Sequence, residues 1–503
     1  MSNENMYCAI ALAVQADAGR IALETQTGKQ YSYADVDAWS ARYANYLVGQ
    51  GFERGDRIAV QVEKSPQSLF LYLACLRAGL VYLPLNTAYQ SAELEYLLGD
   101  SQPRLIVARP QNQGLLKELS AARARATVMT LDDSDDGSLA GSAAQAAAHF
   151  GTVSAAPEEV AVIIYTSGTT GRSKGAMLTH RNLTSNARAL VSIWGFTEHD
   201  VLLHTLPVFH VHGLFVANHC ALTTGATMLW HQRFDPQAAI AAFGRATVFM
   251  GVPTFYVRLL AQNDFGRAQC TKLRLFISGS APLLAQTHRE FEARTGHRIV
   301  ERYGMSETGM ITSNPLDGER RPGTVGLPLP GVEVRVAGPE DRALPSREVG
   351  AIQVRGENVF AGYWRMPEKT REEFTADGWF RTGDLGLFDA DGYLSIVGRA
   401  KDLIITGGYN VYPKEVELAL DELPGVAESA VVGVPHADFG EAVTAAVVPK
   451  AGARIDEAQV IAALKSRLAN YKVPKRVYLV EELPRNAMGK VQKSTLRRRF
   501  GGA

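Results

Sequence analysis

Six apolar residues in a row, Val160-Ala-Val-Ile-Ile-Tyr165, run straight into Thr166-Ser-Gly-Thr-Thr-Gly-Arg-Ser-Lys-Gly175. A half-exposed strand alternates polar and apolar residues. A continuous apolar run has no polar face and must be covered on both sides. Helices packed on both faces of a mainly parallel sheet supply that cover, so the run predicts an α/β fold. The neighbouring segments follow the same grammar. Arg57–Val62 reads as a strand, Pro66–Ala78 as a helix stopped by Gly79, and Leu105–Ala108 as a further strand. Leu273–Ser278 and Ile299–Tyr303 read as strands separated by a helix over Pro282–Thr295.

The greasiest stretch, Leu69–Leu85, is broken by Arg77, Gly79 and Pro84. A membrane span needs about 20 apolar residues without such breaks, so a buried helix running into a core strand is expected, and no membrane partner. Met1–Ala18 holds Glu4 and Asp17 but no Lys or Arg, unlike the start of a secretory signal. Asp132–Ala156 reads as a surface loop with one weak Ala-rich helix. From Val332 the texture changes to short β-like runs: Val332–Val336, Gly350–Val354 and Tyr393–Val397. Beyond Gly398-Arg-Ala-Lys-Asp402 it becomes compact again. A helix is expected over Pro413–Leu423, strands over Ser429–Val434 and Val443–Val448, and a helix over Ile455–Leu468. The domain boundary is placed at Ala400–Lys401, giving domains 1–400 and 401–503.

Charge and cysteine usage narrow the function classes. Lys+Arg and Asp+Glu are both 52, which removes the overall basic footprint of a nucleic-acid binder. Cys8, Cys75, Cys220 and Cys270 have neither CxxC spacing nor the density of a disulfide scaffold, so reduced thiols and a cytoplasmic location are expected.

The segment Tyr165–Gly175 carries the first chemical inference. Its glycines free backbone N–H groups to face an anion, its hydroxyls donate further bonds, and Arg172 and Lys174 add charge. That is the chemistry of a phosphate cradle. A Walker A loop needs Gly-x-x-x-x-Gly-Lys-Ser/Thr, which this segment does not have.

The segment resembles the phosphate loop of the adenylate-forming superfamily, which includes acyl-CoA synthetases. The resemblance covers nearly the whole chain, through Arg302-Tyr-Gly-Met-Ser-Glu-Thr308, Arg381-Thr-Gly-Asp384, Gly398-Arg-Ala-Lys-Asp402, Gly407-Gly-Tyr-Asn-Val-Tyr-Pro413 and Pro484-Arg-Asn-Ala-Met-Gly-Lys490, in the family's order. It implies a large N-terminal domain of layered α/β sheets with a β-barrel-like part, and a small mobile C-terminal α+β domain. It also implies ATP and coenzyme A as co-substrates with Mg²⁺, and an acyl-AMP intermediate.

Roles follow from the resemblance residue by residue. Thr166, Ser167, Gly168, Thr169, Thr170, Gly171 and Lys174 would hold the β- and γ-phosphates. Glu307, with Thr166, would hold Mg²⁺. Ser306 stands where the family more often has Thr and keeps the hydroxyl for the α-phosphate. Gly279, Ser280 and Ala281 would line the base, Tyr303 would pack on adenine, and Arg302, Gly304 and Met305 would complete the nucleotide site. Asp384 and Arg399 would meet the ribose. Lys490 would be the catalytic cation of adenylation, Lys401 the hinge, and Gly407–Gly408 the entry for pantetheine. Asn486 replaces a family Thr.

For the acid, Leu206–Phe215, Phe276–Leu283, Glu301–Met310 and Leu483–Lys490 look most like the malonyl-CoA synthetases of that superfamily. Malonate, with methylmalonate as a second acid, brings a distal carboxylate that a cation or several donors must meet. Arg289 is the first candidate and Arg274 the second, with His210, Ser278 and Met310 completing the pocket; His210 is also a catalytic candidate. His210-Val-His212 lacks a third ligand at motif spacing for zinc. The chain ends 13 residues after Lys490, which favours a free-standing ligase over a peptide-synthetase domain. A ligase for another short aliphatic or aromatic acid, or a silent nucleotide-binding protein, stays open, as does the oligomeric state, a monomer included.

Overall fold

In the computed structural model, the described residues are 3–132, 134, 137–166, 173–436, 438–486 and 489–501. They form two compact units: Met1–Glu333 with Val354–Phe380, and Val334–Gln353 with Arg381–Ala503. No helix among the described residues is long and apolar enough to cross a membrane.

The first unit holds two large sheets. In one, the strands Arg57–Gln61, Val81–Pro84, Leu105–Ala108, Thr127–Thr130 and Val160–Thr166 pair in parallel. Lys174–Thr179 then folds back antiparallel on Val160–Thr166, and Gly362–Tyr363 closes that edge. Every residue of the helix Pro66–Ala78 is buried. Proline at its first turn, a Ser65–Ser68 capping box and a left-handed Gly79 (φ 71°) mark its ends. The apolar stretch is therefore a core helix followed by a core strand.

The other sheet has nine strands, in the order Leu327–Pro328, Gly309–Ser313, Val300–Met305, Leu275–Ser278, Val248–Gly251, Val201–His204, Thr227–Trp230, Ile21–Thr25 and Gln30–Ser32. Its middle is parallel, with Gly251 beside Ser278 and Ser278 beside Glu301. His204, Gly251 and Ser278 thus end parallel strands at one edge, the usual place for ligands in such sheets. Beneath them Phe243, Phe249, Tyr256, Phe276 and Phe291 are fully buried and pack edge to face, Phe276 and Phe291 with centroids 4.9 Å apart. Each such side chain contributes roughly 1.5–3 kcal/mol by leaving water, so the edge above them rests on a stiff floor.

A four-stranded sheet runs in the order Val332–Ala337, Gly350–Gly356, Phe380–Phe388 and Leu394–Arg399. Its end strands do not pair with each other, so this region is an open sheet and the expected barrel-like part is absent among the described residues. Four strands this short enclose no interior for side chains to fill. In the second unit, Val426–His436 and Gly440–Pro449 form a long antiparallel pair, joined by Ile404–Thr406, Tyr409–Val411 and a parallel Arg476–Leu479. The helices Pro413–Asp421 and Glu457–Lys465 pack on it over a Val/Leu core. Ala400–Lys401 lies inside this unit, in the short 3-10 turn Ala400–Asp402.

Candidate active site

The predicted phosphate loop joins two paired strands, with Thr166 directly opposite Lys174. Ser167, Gly168, Thr169, Thr170 and Gly171 lie outside the described residues. Its two flanks are held by a polar cluster. Thr166 Oγ1 lies 3.4 Å from Glu307 Oε1, and the Tyr363 hydroxyl donates to the same oxygen at 3.1 Å. The Lys174 ammonium sits 4.2 Å above the Tyr363 ring and 3.5 Å from Glu373 Oε1. Burial and the adjacent Glu307 carboxylate drive the Tyr363 phenol far above its ordinary pKa, so it remains a hydrogen donor.

Glu307 is 6% exposed and rides the turn between the strands Val300–Met305 and Gly309–Ser313, with Ser306 half-buried beside it. Asparagines fix this turn. Asn186 bonds both the N–H and the C=O of Met310 (3.0 and 2.9 Å), and Asn358 donates to Thr308 O at 2.8 Å. Gly309 is left-handed (φ 57°), and a Cβ there would sit 2.6 Å from Asn186 Oδ1. The Phe360 N–H donates to Glu307 O at 2.8 Å. Tyr363, Asn186, Asn358 and Phe360 were not legible as site residues, because each reaches the turn from far away in the chain.

At the Ser278 strand end the picture differs. Arg302 is 3% exposed, and its Nε and Nη2 have no hydrogen-bond partner among the described residues. Its head covers Gly279, where a Cβ would lie 2.5 Å from Cζ. Burial pushes its pKa down to about 9, still a cation at neutral pH. Ser278 Oγ and His212 Nε2 are likewise buried without partners. His212 Nδ1 lies 3.3 Å from Ser280 Oγ, and Ser280 itself is left-handed (φ 71°). Burial, with the Arg302 charge next, holds His212 well below its ordinary pKa and therefore neutral. His210 is half-buried and its Nδ1 accepts from the His212 N–H at 3.2 Å. Tyr303 and Met310 are buried, while Gly304, Met305 and Ala281 are half-buried.

Neither arginine expected at the acid is among these buried, unpartnered groups. Arg274 precedes the strand that Ser278 ends. It is fully engaged with Asp200 (2.7 Å to each oxygen) and with the carbonyls of Trp194 and Gly195. Arg289 is exposed on the helix Ala285–Thr295, whose buried positions are His288, Phe291 and Thr295. Helical periodicity turns Arg289 to solvent. Arg302, expected in the nucleotide set, is one of two charged residues, with Glu301, in the otherwise apolar segment Ile299–Tyr303.

In the second unit, Asp384 is 6% exposed and pairs with Arg399 (3.2 Å), its partner across the hairpin. Gly407 and Gly408 (φ 54° and 81°) form the two-residue turn between Ile404–Thr406 and Tyr409–Val411. Such a turn needs positive φ at both positions, so the hairpin alone accounts for both glycines. Lys401 and Lys490 are exposed. Asn486 accepts from the Lys490 N–H and donates its own N–H to Lys490 O, both at 3.0 Å, closing the loop that carries Lys490.

These residues suit a hard cation with phosphates better than a protein-built metal cage. Among the described residues no cluster of three or more His, Cys, Asp or Glu could hold a metal. A buried carboxylate with a neighbouring hydroxyl fits Mg²⁺ that takes its remaining ligands from phosphate oxygens and water.

Comparison with known proteins places the chain. The profile of the AMP-binding enzyme family matches residues 11–364, and that of the AMP-binding enzyme C-terminal domain matches 415–490. ATP-bound MatB from Rhodopseudomonas palustris superposes with a TM-score of 0.97 at 53% identity, covering 100% of this chain and 99% of that one. A mitochondrial malonate–CoA ligase of Homo sapiens is 37% identical, over 96% of this chain and 90% of its own length. A feruloyl-CoA synthase of an Amycolatopsis species is 38% identical, over 94% and 95%.

Proposed function

The chain belongs to the AMP-binding enzyme family, and from that premise we propose that it ligates malonate, with methylmalonate as a second acid, to coenzyme A at the expense of ATP. The reaction has two halves. A carboxylate oxygen attacks the α-phosphorus of ATP, the bond to the β-phosphate oxygen breaks, and pyrophosphate leaves. The thiol of coenzyme A then attacks the acyl carbon, AMP departs, and the thiol proton is released.

The single observation that carries the acid assignment is Arg302, a buried guanidinium with two unpartnered nitrogens. Leaving such donors unpaired costs stability, and a distal carboxylate would satisfy them. Ser278 Oγ and His212 Nε2 add two further polar atoms for a compact anion. This reading moves the distal carboxylate from Arg289 and Arg274 to Arg302, and takes Arg302 out of the nucleotide set. A fatty or aromatic acid would leave all these groups unmet.

On the nucleotide side, Lys174, Thr166 and the loop between them hold the phosphates, and Ser306 meets the α-phosphate. Glu307 and Thr166 hold Mg²⁺, which when bound neutralises phosphate charge. Tyr303 and Gly279–Ala281 take the base, and Asp384 and Arg399 the ribose. Lys490 supplies positive charge as the α-phosphate is attacked, and His210 lies beside the acid. Ala400–Lys401 is the pivot between 1–400 and 401–503, a point that lies between the two matched family segments. Lys401 lets the small domain serve each half-reaction in turn, and Gly407–Gly408 leaves pantetheine room. The four free cysteines suit a reducing compartment, the cytoplasm.

The test is AMP release with coenzyme A across malonate, methylmalonate, acetate, octanoate and ferulate. Malonate and methylmalonate are expected above the other three acids. A preference for acetate, octanoate or ferulate would overturn the reading.

A further inference from the structure

Behind the acid pocket lies a cation that neither half-reaction uses. Lys64 is 7% exposed, and its nitrogen lies 2.8 Å from each of three atoms: His204 Nδ1, His204 O and His231 O. It also sits 4.4 Å above the Trp230 ring. No carboxylate contacts it among the described residues. His204 is 1% exposed, and its Nε2 lies 3.0 Å from Gly213 O.

The hydrogen inventory of this group is restrictive. Carbonyl oxygens only accept. Gly213 O therefore requires a hydrogen on His204 Nε2, and the two carbonyls at Lys64 take two of its hydrogens. One hydrogen must still lie between Nζ and Nδ1. If Lys64 supplies it, Lys64 is an ammonium and His204 is neutral. If His204 supplies it, His204 is an imidazolium and Lys64 is a neutral amine. Both arrangements contain one proton more than a neutral pair.

We infer that Lys64 and His204 are a positioning pair that keeps one excess proton in the core and uses it to pin the π-helical turn His212–Ala217 at the acid pocket. The turn is packed tightly, since a Cβ on Gly213 would lie 2.1 Å from Pro207 O. π-Helical turns are rare and gather at functional sites, so a bond to one of its carbonyls bears directly on where it sits. The chain of contacts runs from Lys64 to His204, to Gly213, and through His212 to the left-handed Ser280.

The pair's surroundings predict how it fails. Burial opposes charge on both members. His231, itself beside Asp235, faces Lys64; His212 and the Asn218 amide face His204. As pH rises the shared proton is lost and three hydrogens must serve four contacts, so the His204 ring is no longer fixed from its Lys64 side and its hold on Gly213 O loosens. The kinetic consequence rests on the ligase reading above, whereas the proton count does not.

Two measurements test this. In ¹⁵N NMR of the intact protein, with His204 and Lys64 assigned by their loss in His204→Gln and Lys64→Met, the two ring nitrogens of His204 and Lys64 Nζ should together carry four hydrogens near neutral pH. In kinetics, Lys64→Met should raise the malonate KM by about tenfold while the ATP KM stays within about twofold. It should also abolish the alkaline fall in wild-type kcat/KM for malonate, and adding His204→Gln should cost little more, because coupled partners are not additive. A total of three hydrogens overturns the proton count, whatever the kinetics show. Equal rises in both KM values, or an unchanged alkaline limb, overturn the positioning role. If the wild type does not use malonate, the ligase reading fails while the NMR result still decides the pair.

Discussion

Where the phosphate loop begins, Thr166, Lys174, Glu307, Tyr363 and Glu373 contact one another. At the Ser278 strand end, Ser278 Oγ, His212 Nε2 and two nitrogens of Arg302 are buried without partners among the described residues. The first group finds partners within the protein. The second is incomplete. Each unmet buried donor or acceptor costs about 1–3 kcal/mol, a cost tolerated at a site whose ligand supplies the missing partner. On the proposed function, selectivity for the acid sits where the protein leaves its own chemistry unfinished.

The largest expected effect separates the two faces. Arg302→Leu should lower kcat/KM for malonate by about three decades, as expected when a buried charge pair loses one partner. The ATP KM should hold, and the preference for malonate over propionate should vanish. A parallel rise in the ATP KM would put Arg302 on the nucleotide face and break the comparison. Next, Lys490→Ala should slow adenylation by roughly 10²–10³-fold, yet spare thioester formation from supplied malonyl-AMP. Equal loss in both half-reactions would remove Lys490 from its role. Tyr363→Phe removes one donor to Glu307, so the MgATP KM should rise by roughly three- to tenfold. The malonate KM should not move.

The smallest effect is on stability alone. Burial raises the Asp421 carboxyl to about 6. Between roughly pH 4 and 6 the folded state keeps a proton that the unfolded state has released, so stability falls as pH rises through that window. The penalty is complete above it. Asp421→Asn should gain up to about 2 kcal/mol near pH 7.5 and flatten that slope in urea unfolding, with activity unchanged. No gain at neutral pH would show that the carboxyl ionises freely in the fold.

Much of this was legible where local rules act alone. Pro66 and Gly79 bracket their helix, and Leu105–Ala108 is a strand over the residues expected. The barrel-like part was not legible, because closure depends on which strands pair rather than on how many short runs occur. At the site, Thr166, Lys174 and Glu307 stand in recognisable motifs. Tyr363 does not, since it meets Glu307 across 56 residues of chain. The surroundings of Arg289 and Arg274 depended on helical phase and strand direction. One turns to solvent, and the other lies before the strand that Ser278 ends. Gly407 and Gly408 fit a pantetheine entry and a tight hairpin equally well, and the hairpin by itself requires them.

The central claim is that Arg302 is kept unpaired for the substrate, and unfolding measured with and without ligand tests it most directly. Without ligand, Arg302→Leu should be more stable than the wild type, because an unmet buried guanidinium has been replaced by a side chain that suits its surroundings. With malonyl-AMP, the wild type should gain more than the variant, reversing or narrowing the order. A variant less stable than the wild type without ligand, and stabilised equally by malonyl-AMP, would make Arg302 a structural residue and contradict the account.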